Sequence, residues 1–120
     1  MTATFVPTGA EATPPPFFLA IDVPAGRVVI RGDFDREHLD GFLDAVQQLE
    51  DSPSPSLSVD VGAVSFCDAG GLRGLLAAQT LAHQTGHAFR VTRAGRWMRR
   101  LLPMVGLVPS DEPRVLSAVP

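Results

Sequence analysis

Side chains capable of metal or acid–base chemistry are scarce in this chain of 120 residues. His38, His83 and His87 are its only imidazole groups, and Cys67 is its only thiol. His83 and His87 are four residues apart, a spacing that can place two metal ligands on one helix face, but Gly86 lies between them and should end the helix. We therefore expect no metal site, and we interpret the three histidines as solvated surface residues.

Nucleophilic and phosphate-binding chemistry has equally little support. Ser65 and Asp68 could join a histidine in a catalytic set, but the chain has no Gly-x-Ser-x-Gly nucleophile elbow. Gly70 and Gly71 precede a predicted helix, yet no Gly-Lys-Ser or Gly-Lys-Thr follows, and their spacing fits neither the P-loop nor the dinucleotide fingerprint. Cys67 fits a small buried hydrophobic residue at a strand end better than a redox group. We expect no enzymatic activity and no cofactor.

The amino-acid composition argues against several classes of binding partner. The net charge is −3 and all ten basic residues are arginines, whereas nucleic-acid binding needs a concentrated basic surface. A single cysteine excludes an intrachain disulfide. No apolar stretch approaches the roughly 18 residues that span a membrane, and no basic segment followed by an apolar run indicates a signal peptide. We expect a cytoplasmic protein without nucleic-acid or membrane partners.

Alternation of apolar residues predicts four strands in a single domain. Residues 1–16 end in a Thr-Pro-Pro-Pro run and are expected to form a flexible tail, so the domain should occupy residues 17–120. Leu19, Ile21 and Val23 alternate with smaller or polar residues, which is typical of a half-buried strand. The same kind of argument predicts strands at residues 19–23, 27–31, 57–61 and 88–92.

Helical periodicity and end signals predict helices between these strands. Asp35 is a suitable N-cap for the first helix, whose apolar residues recur at i, i+3, i+4 and i+7 from Leu39. Asp68 has the same position before the second helix, and Gly86 should end that helix because glycine tolerates positive φ.

The third helix is predicted over residues 93–102, where Pro103 should end or kink it. Trp97 on this helix is either a core anchor or a partner-facing aromatic residue. We interpret the arginines of the helix as a solvated face. A final turn is expected at residues 115–118.

The order β-β-α-β-α-β-α is typical of parallel strands joined by right-handed helical crossovers. It predicts an α/β fold in which a mixed sheet of four or five strands is packed with three or four helices.

Three segments resemble signature stretches of one protein family. In residues 58–76, an aspartate-containing strand and a short valine-containing loop lead to Asp68-Ala69-Gly70-Gly71-Leu72 at a helix start. The run Gly32-Asp33-Phe34-Asp35 is similar to the family's Gly-Glu-Leu-Asp, and residues 97–102 followed by Gly106-Leu107 are similar to its last helix. In order and spacing, these segments resemble a STAS domain of the anti-sigma-factor-antagonist type over about residues 17–118.

The resemblance implies a STAS fold and a protein-binding role in partner switching. Antagonists of this family dock on an anti-sigma factor, often a serine kinase, and free a sigma factor for transcription. Phosphorylation of the second serine of Asp-Ser-Ser-Gly breaks that complex. The implied partner is an anti-sigma factor or a serine kinase of the anti-sigma type, and a homodimer is left open. The residues expected to contact the partner are Asp33, Asp35, Asp68, Ala69, Gly70, Gly71 and Arg73.

The chain departs from the family where the switch would be. Ala69 and Gly70 align with the two serines, and neither has a hydroxyl, so we expect no phosphorylation at the family position. Ser65 and Thr80 are nearby hydroxyls that we interpret as structural. The hypothesis is a permanently binding-competent antagonist or a docking subunit in a larger assembly. The alternatives are a soluble STAS subunit of a lipid-transport ABC system and a small-ligand-binding STAS domain.

Overall fold

The computed structural model describes residues 17–110. The tail expected at residues 1–16 and the turn expected at residues 115–118 lie outside the described residues. The described elements follow in the order β1 (Phe18–Asp22), β2 (Arg27–Phe34), α1 (Leu39–Gln47), β3 (Ser56–Cys67), α2 (Ala69–Gln84), β4 (Ala88–Thr92), α3 (Arg96–Leu101) and β5 (Pro109–Ser110). Short 3-10 turns precede α1 at Arg36–His38 and follow α3 at Leu102–Val105.

One mixed sheet has its strands in the order β1-β2-β3-β4-β5. β1 is antiparallel to β2, and the other neighbours are parallel, which confirms the predicted α/β fold with a mixed sheet. Of the four or five strands and three or four helices expected, the described residues form five strands and three helices. Val28 and Ile30 of β2 are fully buried, whereas Arg27 and Arg31 on its other face are exposed. All three helices contribute side chains to the single core on the buried face.

β3 extends to Cys67, six residues beyond the end that apolar alternation predicts. Its buried residues are two apart up to Val61 and then three apart, at Val64 and Cys67. The register against β2 shifts twice in this stretch, and each shift places one extra residue of β3 opposite β2. These bulges keep the apolar side chains on the core face but remove the period of two on which the prediction was based.

α3 is shorter than the helix predicted over residues 93–102, and it begins at Arg96. Arg93 has φ of 61°, a left-handed conformation that a right-handed helix excludes. The 3-10 turn Leu102–Val105 contains Pro103, so the chain continues as a tighter helix at the position where the proline was expected to end or kink it.

Trp97 points outward, with 39% of its surface exposed, while its neighbour Met98 is buried. Of the two roles left open for Trp97, the core anchor is therefore wrong, and Met98 supplies the apolar contact between α3 and the core.

α2 ends at the glycine predicted to end it. Gly86 has φ of 83°, and its N–H donates to the His83 carbonyl at 3.1 Å. The His87 N–H donates to the Ala82 carbonyl at 2.8 Å. These two bonds form the Schellman arrangement, which satisfies carbonyls in the last turn of the helix.

The same turn buries His87, which was expected at the surface. The residue is only 8% exposed, its Nε2 lies 3.0 Å from the Ser52 carbonyl oxygen, and its Nδ1 lies 2.9 Å from the Thr85 hydroxyl. The surface prediction was wrong because the reversal at Gly86 places the next residue beneath the loop between α1 and β3. Both ring nitrogens are then occupied by protein hydrogen bonds.

Phe34, at the end of β2, organises the core beneath the helix tips. It is fully buried and contacts Phe42 of α1 edge to face, with ring centroids 4.8 Å apart. α2 approaches this point through glycines: a Cβ on Gly71 would lie 2.3 Å from the Phe34 carbonyl oxygen, and one on Gly74 would lie 2.6 Å from Leu39 Cδ1. Contacts under 3.0 Å are essentially never made by a real Cβ, so glycine permits this close packing.

Cys67 ends β3 as a buried thiol, which agrees with its expected role as a small hydrophobic residue. Its Sγ donates to the Asp68 carbonyl oxygen at 3.6 Å. Burial, and secondly the nearby Asp68 carboxylate, raise the pKa of the Cys67 thiol from 9.0 to about 11.

Gly71→Ala should lower the free energy of unfolding by about 1–3 kcal/mol, because the added methyl group overpacks the contact with Phe34. Gly41→Ala is the matched control, since a Cβ at this exposed site in α1 meets nothing within 4 Å. That change should raise stability by about 0.5–1 kcal/mol. Urea unfolding of both variants measures the difference, and equal stabilisation would contradict the close approach of α2 to β2.

Cys67 should react slowly with Ellman's reagent in the native protein. With the pKa of its thiol at about 11, about one thiol in a thousand is a thiolate at pH 8, and the rate should rise about tenfold per pH unit. Because the native thiol keeps its proton to higher pH than the unfolded thiol, stability should fall as the pH rises from about 9 to about 11. Reaction rates in buffer and in urea provide the comparison, and equal rates at pH 8 would show that the thiol is accessible.

Candidate functional site

The carboxyl ends of β2 and β3 lie side by side at one edge of the sheet, and each strand is followed directly by an aspartate. The strands are parallel, and their last residues, Phe34 and Cys67, are paired. The next residues are Asp35 and Asp68, so strand register brings together two segments that are more than thirty positions apart in the sequence.

Each aspartate caps the helical turn that follows it. Asp68 Oδ1 accepts the Gly71 N–H at 2.9 Å, which confirms the predicted N-cap of α2. Asp35 Oδ1 accepts the Glu37 N–H at 3.1 Å and lies 2.9 Å from His38 Nδ1. Its predicted capping role is also confirmed, although the capped element is the 3-10 turn Arg36–His38 rather than α1 itself.

An open cleft of about 520 Å³ lies between the two capped turns. Its lining residues come from the 3-10 turn and from the first turns of α2: Asp35, Arg36, Glu37, Asp68, Ala69, Gly70 and Arg73. The ionisable side chains in this set are two arginines and three carboxylates. A polar, open cleft of this kind suits contact with a protein surface better than enclosure of a small apolar ligand.

Five of the seven residues expected to contact a partner line this cleft, namely Asp35, Asp68, Ala69, Gly70 and Arg73. Asp33 and Gly71 do not. Asp33 Oδ1 accepts the Ser65 hydroxyl at 3.3 Å, and Gly71 is buried against Phe34. A partner-binding role for any of the seven stays a prediction, and the position of Gly71 gives it a packing role.

Arg36 and Glu37 also line the cleft, although they were not among the residues predicted to lie there. Their only sequence signal is their position directly after the capping Asp35. Neither the Arg36 nor the Arg73 guanidinium has an ion-pair partner among residues 17–110, so both remain available to acidic groups from outside.

Gly70 lies where the tip of α2 meets the 3-10 turn. A Cβ built on it would be 2.9 Å from Arg36 Cβ and 3.1 Å from Arg36 Cα. The nearest atoms belong to the backbone and the first side-chain carbon of Arg36, which cannot swing away as the end of a flexible side chain could. A residue with any side chain at position 70 would therefore require the 3-10 turn to move by a few tenths of an ångström.

The two hydroxyls near the site are both engaged in hydrogen bonds. Ser65 Oγ donates to Asp33 Oδ1 at 3.3 Å, and Thr80 Oγ1 donates to the Leu76 carbonyl one helical turn earlier, also at 3.3 Å. These contacts are consistent with the structural role expected for Ser65 and Thr80, and that role stays a prediction.

Within residues 17–110, no three His, Cys, Asp or Glu side chains come together as a metal-binding group. No helix in the same range has the length and apolar character needed to cross a bilayer.

Solved structures with the same fold include two forms of the protein SpoIIAA. The first, described as an anti-sigma factor antagonist in its unphosphorylated form, has a TM-score of 0.59 and 17% identity, covering 81% of this chain and 89% of that one. The second, described as a Bacillus cell fate determinant in the phosphorylated form, has a TM-score of 0.55 and 18% identity, covering 81% and 91%. At these identities the likeness establishes the fold alone.

A third similar structure is a murine anion transporter, Solute Carrier 26 family member A9, in the inward-facing state. The TM-score is 0.55 at 17% identity, and the match covers 68% of this chain but only 14% of the transporter. No curated protein matches the chain.

One family model covers most of the chain. A family model described as "Mlab, STAS domain" matches residues 17–108, which is most of the chain and nearly all of its described part. The chain therefore belongs to the STAS domain family.

Proposed function

We propose that this protein is an anti-sigma-factor-antagonist-like binding module, whose cleft docks on an anti-sigma factor or on a serine kinase of the anti-sigma type. The observation that carries the proposal is the meeting of two aspartate-capped turns at one edge of a STAS sheet, with the uncharged residues Ala69 and Gly70 at the tip of α2. On this proposal the module acts in the cytoplasm, in partner-switching control of transcription.

The lack of charge and hydroxyl at the N-terminal tip of α2 bears on whether phosphorylation could control the proposed binding. SpoIIAA has been solved with and without phosphate, and a phosphoserine adds roughly −1.5 to −2 charge at pH 7. In this cleft such a charge would face the carboxylates proposed below for the partner, and each ~1.4 kcal/mol of repulsion between them lowers affinity tenfold. Gly70 carries no hydroxyl, so the proposed complex has no covalent off-switch at this position.

The charges of the cleft indicate what the partner should supply. The Asp35 and Asp68 carboxylates each accept a hydrogen bond from a backbone N–H group. By contrast, Arg36 and Arg73 have no ion-pair partner among the described residues. Carboxylates on the partner that meet these two guanidinium groups would complete the contact, since arginine forms bidentate bonds with carboxylates.

Binding is a better account of this site than catalysis. The thiol nearest the cleft, Cys67, is buried, and its raised pKa keeps it protonated near neutral pH. No histidine lines the cleft, so the lining offers no imidazole base beside a nucleophile. These features favour recognition by shape and charge at this cleft.

A second candidate function is a soluble STAS subunit of a lipid-transport ABC system. The observation that favours it is Gly70, because a permanently docked subunit needs no phosphoacceptor. In that case the same cleft would hold the ATPase of the transport system rather than a kinase.

Site-specific photocrosslinking tests the docking surface and separates the two candidates. Benzoylphenylalanine replaces the exposed Ala69 at the cleft or, as the control, the exposed His83 at the far end of α2, and each variant is illuminated in lysate of the native host. We expect an anti-sigma factor or its kinase to be captured from position 69 and not from position 83. Capture of a transport ATPase would support the second candidate, and identical captures from both positions would contradict docking at the cleft.

Gly70→Asp should weaken binding of the captured partner by about tenfold or more relative to Gly70→Ala, because both add a Cβ beside Arg36 but only the first adds charge. Gly41→Asp, at an open site on α1, controls for the change in net charge. Isothermal titration calorimetry gives the three affinities. If the Asp and Ala variants at position 70 bind equally well, the partner does not meet this helix tip.

A further inference from the structure

The two edges of the sheet are protected to different degrees. β5 at one edge has two residues within the described range 17–110, and Pro109 has no N–H to offer a neighbouring strand. β1 at the other edge has five residues, contains no proline and carries a single charge, Asp22. Strand edges of this length and composition invite pairing with another strand unless something blocks them.

The outer side of β1 has no partner within the described residues. All five residues of β1 are paired with β2 on the inner side, and in an antiparallel strand the N–H and C=O groups of alternate residues point the other way. Two large apolar side chains of β1 are also exposed, Phe18 at 50% and Ile21 at 37%. Within the described part of the chain, backbone hydrogen-bonding groups and apolar surface therefore lack a partner along the same edge.

We propose that this edge binds a second copy of the same chain, with the two β1 strands antiparallel about a two-fold axis at Ala20. The two five-stranded sheets would then join into one. In this register Leu19 lies opposite Ile21 of the second copy, and Phe18 lies opposite Asp22 of the second copy. Opposed residues share a face of the sheet, so the aliphatic pairs extend the helix-covered face and the Phe18–Asp22 pairs lie on the open face.

Charge complementarity selects this register. The Arg31 guanidinium lies 5.9 Å from the centroid of the Phe18 ring, on the strand next to β1, and Phe18 is opposite Arg31 in the sheet. Asp22 of the second copy would therefore lie on the other side of the same ring, within reach of Arg31, twice in each dimer. Within residues 17–110 neither Asp22 nor Arg31 has an ion-pair partner.

Other two-fold registers lose this match. An axis at Ile21 places Asp22 opposite Ala20, and an axis at Leu19 leaves Asp22 beyond the paired residues.

A five-residue strand pair buries less surface than a standard interface of about 1,200–2,000 Å². The dimer is therefore weak, and its population depends on protein concentration.

Charge reversal tests the pairing. Asp22→Arg and Arg31→Asp should each weaken self-association by about tenfold or more, and the double variant should restore it. Arg90→Asp is the matched control, because Arg90 is exposed on β4, on the opposite side of the sheet from β1. Sedimentation equilibrium over a concentration series measures association, with circular dichroism to verify folding. A wild-type protein that stays monomeric, or a double variant that fails to recover, would overturn the proposal.

A disulfide test does not depend on the charges. Residues on the two-fold axis have Cα atoms about 4.5–5.5 Å apart in an antiparallel pair, within the range of about 4.4–6.8 Å that a disulfide requires. Ala20→Cys in a Cys67→Ala background should form a covalent dimer under mild oxidation, while Ala88→Cys, exposed on β4, should not. Equal crosslinking of the two variants would contradict the register. Since no partner protein is involved, this result is independent of docking at the cleft.

Discussion

The close approach of α2 to the end of β2 is the constraint on which the site depends. A Cβ on Gly71 would lie 2.3 Å from the Phe34 carbonyl oxygen and 2.8 Å from Cys67 Sγ. Helix and strand therefore touch backbone to backbone, with no side chain between them. This contact fixes the first turn of α2 over the ends of β2 and β3, and it holds the Asp68 cap beside the turn that follows Asp35.

Packing also determines which charges the site can present. The same carboxylates that begin the two helical turns are bonded to backbone N–H groups, so Asp35 and Asp68 act first as caps. The groups left to meet the proposed partner are Arg36, Glu37 and Arg73, none of which has an ion pair among the described residues. Recognition by such a surface rests on the geometry of the turns as much as on the identity of the aspartates.

Local patterns were sufficient to predict most of the fold and both caps, but not the features that depend on register. The predicted cap at Asp68 and the helix end at Gly86 are confirmed, because each involves bonds between residues close in sequence. Asp35 also acts as a cap, but of the 3-10 turn that precedes α1. The second half of β3 was missed because two bulges abolish the period of two. His87 and Arg36 were misjudged or overlooked because their surroundings come from segments distant in sequence, and no local pattern reports such contacts.

Glycine at position 70 has two consequences that cannot be separated. Under the proposed function it leaves the helix tip without a hydroxyl to phosphorylate, and it lets Arg36 pack so closely that a Cβ on residue 70 would lie 2.9 Å from Arg36 Cβ. A serine at position 70 would require the 3-10 turn to move away from the helix tip, and a phosphoserine would require more space still. Under the proposed function, Gly70→Ser would therefore supply a hydroxyl at the helix tip only if the 3-10 turn and its Asp35 cap shifted by a few tenths of an ångström.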